Sequence, residues 1–241
     1  MKMDGNNGVN PVQVFRDAII GHLAKGFVHN LNSPLQIISM HLELMRSELA
    51  RMPSLASDVD GLTQTTESIL ARIDQIEDSL SKMDFFLRVV NQRKAAEAVG
   101  EVPVIIPDLI RREIEFWQSD LFLKHQVQVD YDFPDPPHVV TIKESVVRDL
   151  VDGSIGLCLG RLRESEHKNI KIRLSSGNDN TLELAFEHSG DPFPGSDTTD
   201  WPAEDKMFFL PFLKVALEDC KADMKIDGNK LRISLPVSES V

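Results

Sequence analysis

The sequence predicts an α+β protein. A long antiparallel helical hairpin, paired with a second copy in a dimeric four-helix bundle, precedes an α/β sandwich. Three features predict it. Apolar residues recur in heptads between Gly61 and Asn91, a second seam of the same kind runs from Phe27 to Leu49, and after Ala98 the pattern breaks into short alternating and amphipathic segments.

Residues 1–11, MKMDGNNGVNP, lack the apolar core of a signal peptide and read as a disordered start. The hairpin occupies residues 12–98. Its first helix carries Phe27, Leu31, Leu35, Ile38, Leu42, Met45 and Leu49; its second carries Leu62, Thr66, Ile69, Ile73, Ile76, Leu80, Met83, Leu87 and Val90. Steps of three and four place each set on one helix face. Pro53 ends the first helix, because the residue before a proline avoids helical angles, and Ser54 or Ser57 caps the second. Each helix of roughly 40 residues is about 60 Å long. A lone hairpin of that length leaves much of its seam in water, whereas two hairpins bury it in a four-helix bundle, so a homodimer about a two-fold axis is expected. The competing arrangement covers the seam with the rest of the same chain.

Residues 99–106 read as a linker and 107–241 as the sandwich. Pro107 to about His125 is predicted as a helix with proline in its first turn, and 127–133 as a strand ended by Pro134, Pro136 and Pro137. Residues 143–163 form an amphipathic helix, and 169–174 and 182–187 are strands about a turn at 176–180. A Pro- and Gly-rich loop covers 189–202, a helix follows over 205–222, and a hairpin turning at Asp227-Gly228-Asn229 closes the chain. That order describes a mixed sheet with helices on one face.

Composition narrows the function. The 241 residues allow one or two domains, and 41% apolar with 27% charged residues is ordinary for a folded protein. No apolar run approaches the ~20 residues of a membrane span, and a cytoplasmic protein is expected. A net charge of −12 argues against nucleic acid or an anionic membrane as the main partner. Two cysteines, Cys158 and Cys220, build neither a disulfide framework nor a four-Cys zinc site.

The segment Phe27-Val28-His29-Asn30-Leu31-Asn32-Ser33-Pro34-Leu35 carries the chemistry. Proline inside a helix removes a backbone hydrogen bond at a cost of about 3 kcal/mol, yet Pro34 interrupts a good heptad. His29 precedes Leu31 by two residues, about 200° around the helix, and points to solvent. An exposed imidazole is largely uncharged at pH 7 and offers a nitrogen lone pair to phosphorus.

This stretch resembles the phosphoacceptor box of bacterial two-component sensor histidine kinases, His-Glu-(Leu/Ile)-(Asn/Arg)-(Asn/Thr)-Pro-Leu, through His29, Leu31, Asn32, Pro34 and Leu35. In that family the box lies on the first helix of a dimeric hairpin, and the second half here is similar in element order to the family's ATP-binding domain of GHKL type. The departures are as telling. The resemblance implies an acidic general base after the histidine; Asn30 stands there and cannot accept a proton. It implies a magnesium-binding Asn on the helix SVVRDLVDGSIGLCL, where Gly153 stands. It implies an adenine-contacting Asp before a Gly-x-Gly loop, where His188 precedes Gly190 and Pro192, and a Gly-rich phosphate turn where Met207–Leu213 is bulky. A degenerate ATP site is thus placed near Asp149, Gly153, His188 and Gly190, with no cofactor of its own.

An exposed histidine on a dimeric bundle without nucleotide resembles the dimeric histidine phosphotransferases of phosphorelays. Their partners are response-regulator receiver domains, which supply the magnesium. His29 is then the phosphoacceptor. In a hairpin turning near Pro53 it lies level with about Asp78, Lys82 steadies the transferring group, Ser33 shares its face, and Gln36 and Met40 belong to the docking surface. A divergent ATP-dependent kinase and a non-catalytic adaptor are the competing functions.

Overall fold

The regular heptads fold as two long helices, α1 (Pro11–Arg51) and α2 (Val59–Ala96), joined through a 3-10 turn at Met52–Leu55. The structure, a computed structural model, describes residues 11–236 apart from 56, 97–99, 138, 178–180, 195–200, 203–204 and 206–208. Residues 1–10 of the expected disordered start therefore lie outside the described residues, while Pro11 opens α1. Among the described residues no helix is long and apolar enough to cross a membrane.

By contacts the chain divides into two units, Ala24–Gln92 and a second that joins Leu23 and the described residues before it to Arg93 and all that follows. Phe15, Ile19 and Leu23, four residues apart on one face of α1, are buried in the second unit, which draws the first turns of α1 into it.

In the hairpin unit the rings of Phe27 and Phe86 meet edge-on at 5.4 Å, and Glu48 binds Arg72 (2.9 Å) and Ser68 (2.9 Å) across the helices. Gly26, Pro34 and His41 of α1 and Ser79 of α2 are buried. The predicted seam is split. Phe27, Leu31, Ile38 and Met45 are half-buried, whereas Leu35, Leu42 and Leu49 are 45%, 47% and 51% exposed, and Leu80 and Leu87 on α2 are exposed too. The hairpin's own contact takes one edge of each stripe and leaves the other apolar edge uncovered.

The second unit continues with β1 (Glu101–Ile105), α3 (Ile106–Trp117), α4 (Leu121–Gln126), β2 (Gln128–Asp132), β3 (Val139–Lys143) and α5 (Glu144–Leu162). It ends with β4 (Asn169–Ser176), β5 (Thr181–His188), α6 (Leu210–Cys220), β6 (Asp223–Asp227) and β7 (Lys230–Pro236). A five-stranded mixed sheet has the order β2-β4-β5-β7-β6, with β2 and β4 parallel and the other neighbours antiparallel. Alternation is strict in β4, where Ile170, Ile172 and Leu174 are buried and Lys171 and Arg173 face out. The helices α3, α5 and α6 pack together, and α5 lies on β5.

Several expectations need correction. The linker expected over 99–106 contains β1, which pairs antiparallel with β3, a strand the sequence did not suggest. The helix expected from Pro107 to His125 breaks after Trp117, because the Asp120 carboxylate accepts the Leu123 amide (2.9 Å) and caps a new helix. Of the helix expected over 205–222, the α-helical part is α6, Leu210–Cys220, and Asp205 and Phe209 ahead of it are π-helical. The closing hairpin turns where Gly228 has φ 58°, a left-handed conformation open to glycine.

Candidate functional site

His29 stands exposed on α1. Ser33, Gln36 and Met40 follow it in steps of four, three and four, which keeps them on its face of the helix, and all three are exposed. A shallow depression lined by Asn32, Leu35, Gln36, Ser39, Met40 and Glu43 begins one turn beyond the histidine. Pro34 is buried in the hairpin without ending α1. Asn30 is half-buried beside the exposed His29.

The register of the hairpin differs from the expected one. With Phe27 against Phe86, and α2 starting only at Val59, His29 lies level with about Asp84 rather than Asp78. The connection spans Met52 to Asp58, not a tight turn at Pro53, and this slides α2 along α1. Lys82 lies near that level, but its ammonium is held by Asp78 of its own helix at 2.5 Å, with both side chains exposed. Arg88 and Asp84 make a second such pair at 2.6 Å. The face therefore offers alternating charges of modest individual strength.

Asp149, Gly153 and Gly156 lie on one face of α5, at i, i+4 and i+7. The chain's own side chains fill this face. Arg16 of α1 grips Asp149 through two hydrogen bonds, Nε to Oδ1 at 2.9 Å and Nη2 to Oδ2 at 2.6 Å. A Cβ at position 153 would stand 2.5 Å from Leu213 Cγ of α6, and one at 156 would collide with the ring of Phe209. Phe15 stacks on Phe212 and meets Phe209 edge-on. In the bulky run Met207–Leu213, which reads as core packing or a partner contact, Phe209, Leu210, Phe212 and Leu213 are buried, whereas residues 206–208 lie outside the described residues. Burial pushes the Asp149 carboxyl up to about 6 despite the Arg16 guanidinium beside it.

His188 ends β5 and is buried, its ring perpendicular to Phe193 at 4.5 Å. Burial, assisted by the Arg161 guanidinium, depresses its pKa to about 4, so the ring is uncharged at neutral pH. Gly190 permits close approach to the Arg161 carbonyl, 2.5 Å from where a Cβ would sit. His188 and Gly190 thus belong to a packed aromatic corner that includes Trp201 stacked on Phe193.

The sequence reading missed a buried charge cluster. Arg93, at the end of α2, binds Asp152 and lies 3.3 Å from Glu113; Arg148 lies 3.3 Å from Glu113 and from Glu144. Trp117 Nε1 donates to Asp152 at 2.7 Å, and Arg148 donates to the Arg93 carbonyl at 2.7 Å. The Arg93 guanidinium also covers the Phe116 ring at 3.6 Å. Among the described residues no group of three or more His, Cys, Asp or Glu side chains is placed to hold a metal ion.

Solved structures similar in fold are histidine kinases. A mycobacterial sensor histidine kinase, MprB, aligns with a TM-score of 0.48 and 15% identity over 58% of this chain and 99% of its own. The Acinetobacter baumannii histidine kinase AdeS gives 0.46 and 12% over 83% and 96%. The histidine kinase domain of the Erythrobacter litoralis EL346 blue-light activated kinase gives 0.46 and 14% over 72% and 87%. No family model matches the chain, and no curated protein sequence matches it.

Proposed function

We propose that this chain is a histidine phosphotransferase of a bacterial two-component phosphorelay, acting in the cytoplasm as a homodimer and carrying phosphoryl groups between receiver-domain aspartates on His29. The carrying observation is a contrast: His29 stands exposed on a continuous helix, while the α5 face that corresponds to a kinase's nucleotide helix is filled by Arg16, Leu213 and Phe209. The sequence likeness of the His29 box supports the same reading.

The chemistry asks little of the protein. An imidazole nitrogen of His29 attacks the phosphorus of a receiver's aspartyl phosphate, an N–P bond forms, and the P–O bond to the aspartate carboxylate breaks. The reverse step onto a second receiver regenerates the ring. The receiver's magnesium, part of the incoming partner, neutralises the phosphoryl oxygens. This chain's share is to present the ring and to dock the receiver against Ser33, Gln36 and Met40, so that the reacting atoms line up. Asn30 in place of a carboxylate suits this division, because attack on an already activated acyl phosphate needs no general base from this chain.

The test is incubation with radiolabelled phospho-receivers from the same cell. Acid-labile label on this protein is expected, lost completely in His29→Ala. A His29→Ala variant that relays phosphate as well as the wild type would sink the assignment. Magnesium-dependent binding of a fluorescent ATP analogue would instead favour a kinase.

A further inference from the structure

We propose that α5 is a staple for the two hairpin helices, and that Arg16 and Arg93 are thereby positioning residues for phosphotransfer at His29; the second clause rests on the function proposed above. Asp149 and Asp152 lie three residues apart on α5, so their carboxylates occupy neighbouring places on adjacent turns. Each takes an arginine from a different hairpin helix. Asp149 holds Arg16 of α1 in a bidentate pair, and Asp152 holds Arg93 of α2.

All four side chains are sequestered, with side-chain exposures of 4% for Asp149, 0% for Asp152, 15% for Arg16 and 10% for Arg93. Buried charges bind tightly only when their geometry is fixed, and removal of one partner strands the other. Both ends are further tied down. Trp117 donates to Asp152, Arg148 donates to the Arg93 carbonyl, and Phe15 beside Arg16 stacks on Phe212. The arginine fork also fixes rotation, because two parallel bonds to one carboxylate define a plane where a lysine would define only a point.

Arg16 and His29 lie 13 residues apart in the same uninterrupted helix, α1. An error of about 1 Å at the reacting nitrogen is enough to cost up to ~100-fold in rate. The remnant of a nucleotide domain has then become a fixture for the helix that carries the phosphoacceptor.

The experiment compares full-length wild type with Arg16→Asp, Asp149→Arg, their double swap, and Arg16→Lys. Amide hydrogen exchange is read over residues 12–23, with exchange elsewhere in the sandwich reporting that the variant is folded. Turnover with phospho-receiver is read in parallel. Expected for Arg16→Asp is faster exchange over 12–23 and at least a tenfold fall in maximal rate with an unchanged KM, since the docking face is untouched. Arg16→Lys falls between, and the double swap recovers both readouts. Wild-type exchange in Arg16→Asp, or a double swap that recovers nothing, overturns the staple. Faster exchange with unaltered turnover overturns the positioning role. If wild type takes no label at all, the phosphotransferase reading and the positioning role fall together, while the exchange data still judge the staple.

Discussion

The ring of Phe209 occupies the space where a side chain at position 156 would begin, so Gly156 is a contact point between α5 and α6 and not a flexible gap. Gly156→Ala pushes one methyl into a ring that is itself buried against Phe15. Overpacking of this kind costs about 1–3 kcal/mol, which outweighs the roughly 1 kcal/mol that alanine gains over glycine in a helix. The variant should lose stability in urea unfolding, and Gly156→Ala should cost less when made in a Phe209→Ala background than in the wild type, because the ring it strikes is gone. An unchanged unfolding midpoint would show that α6 does not seat on α5 in this way.

The uncovered stripe of Leu35, Leu42 and Leu49 on α1, with Leu80 and Leu87 on α2, is the surface on which the proposed dimer depends. Burying one leucine contributes about 1.5–3 kcal/mol. Leu42→Glu replaces it with a charge that would be desolvated at a paired surface. Sedimentation should show a wild-type dimer and a Leu42→Glu monomer of unchanged helix content. A monomeric wild type would remove the dimer from the proposal.

Much of this was legible in the chain. The heptads announced α1 and α2, and alternation announced β4 through β7, because burial on one face imposes a period that survives in the sequence. The exposure of His29 was legible from its offset of two residues from the seam position Leu31. Gly153 was legible as a missing side chain, but not Leu213 as what fills the gap, and the contact of Gly156 with Phe209 left no signal in the sequence. Arg16 and Asp149 lie 133 residues apart, and a charge in a sequence carries no address for its partner. The register of the hairpin failed for a related reason: it is set by the length of the connection after Arg51, which periodicity does not report. β1 and β3 stabilise one another by pairing across the intervening helices, and neither reads as a strand alone.

The buried Glu113 makes stability depend on pH. Burial pushes its carboxyl up to about 7, while Arg93, Arg148 and Arg112 pull it down and Asp152 pushes it further up. The folded state then holds its proton more tightly than the unfolded chain, whose glutamates titrate near ~4.3. Stability from this group is full below about pH 4.3 and is lost as pH rises towards 7. Asp149, raised to about 6, acts in the same direction. Glu113→Gln removes a proton-binding site, so the fall in unfolding free energy between pH 5 and pH 8 should be shallower in the variant by an amount on the order of 1 kcal/mol or more. At pH 5, where the folded protein holds the Glu113 carboxyl protonated, the two proteins should be close in stability. Parallel pH profiles for the two proteins would show that Glu113 is ionised throughout.

Gly21 supplies the converse of Gly156. It lies in the interior of α1, is exposed, and a Cβ built there meets no atom within 4 Å. Nothing opposes the gain from alanine, which restricts the unfolded backbone and favours the helix by about 0.5–1 kcal/mol. Gly21 also sits between Arg16 and His29, as does the buried Gly26, and glycine weakens a helix at each place. Gly21→Ala should therefore raise the thermal midpoint by a few degrees and slow amide exchange in the turns around residue 21, with His29 chemistry undiminished. A lower midpoint would mean that α1 bends at residue 21 in the functional protein, and that the glycine is there to let it bend.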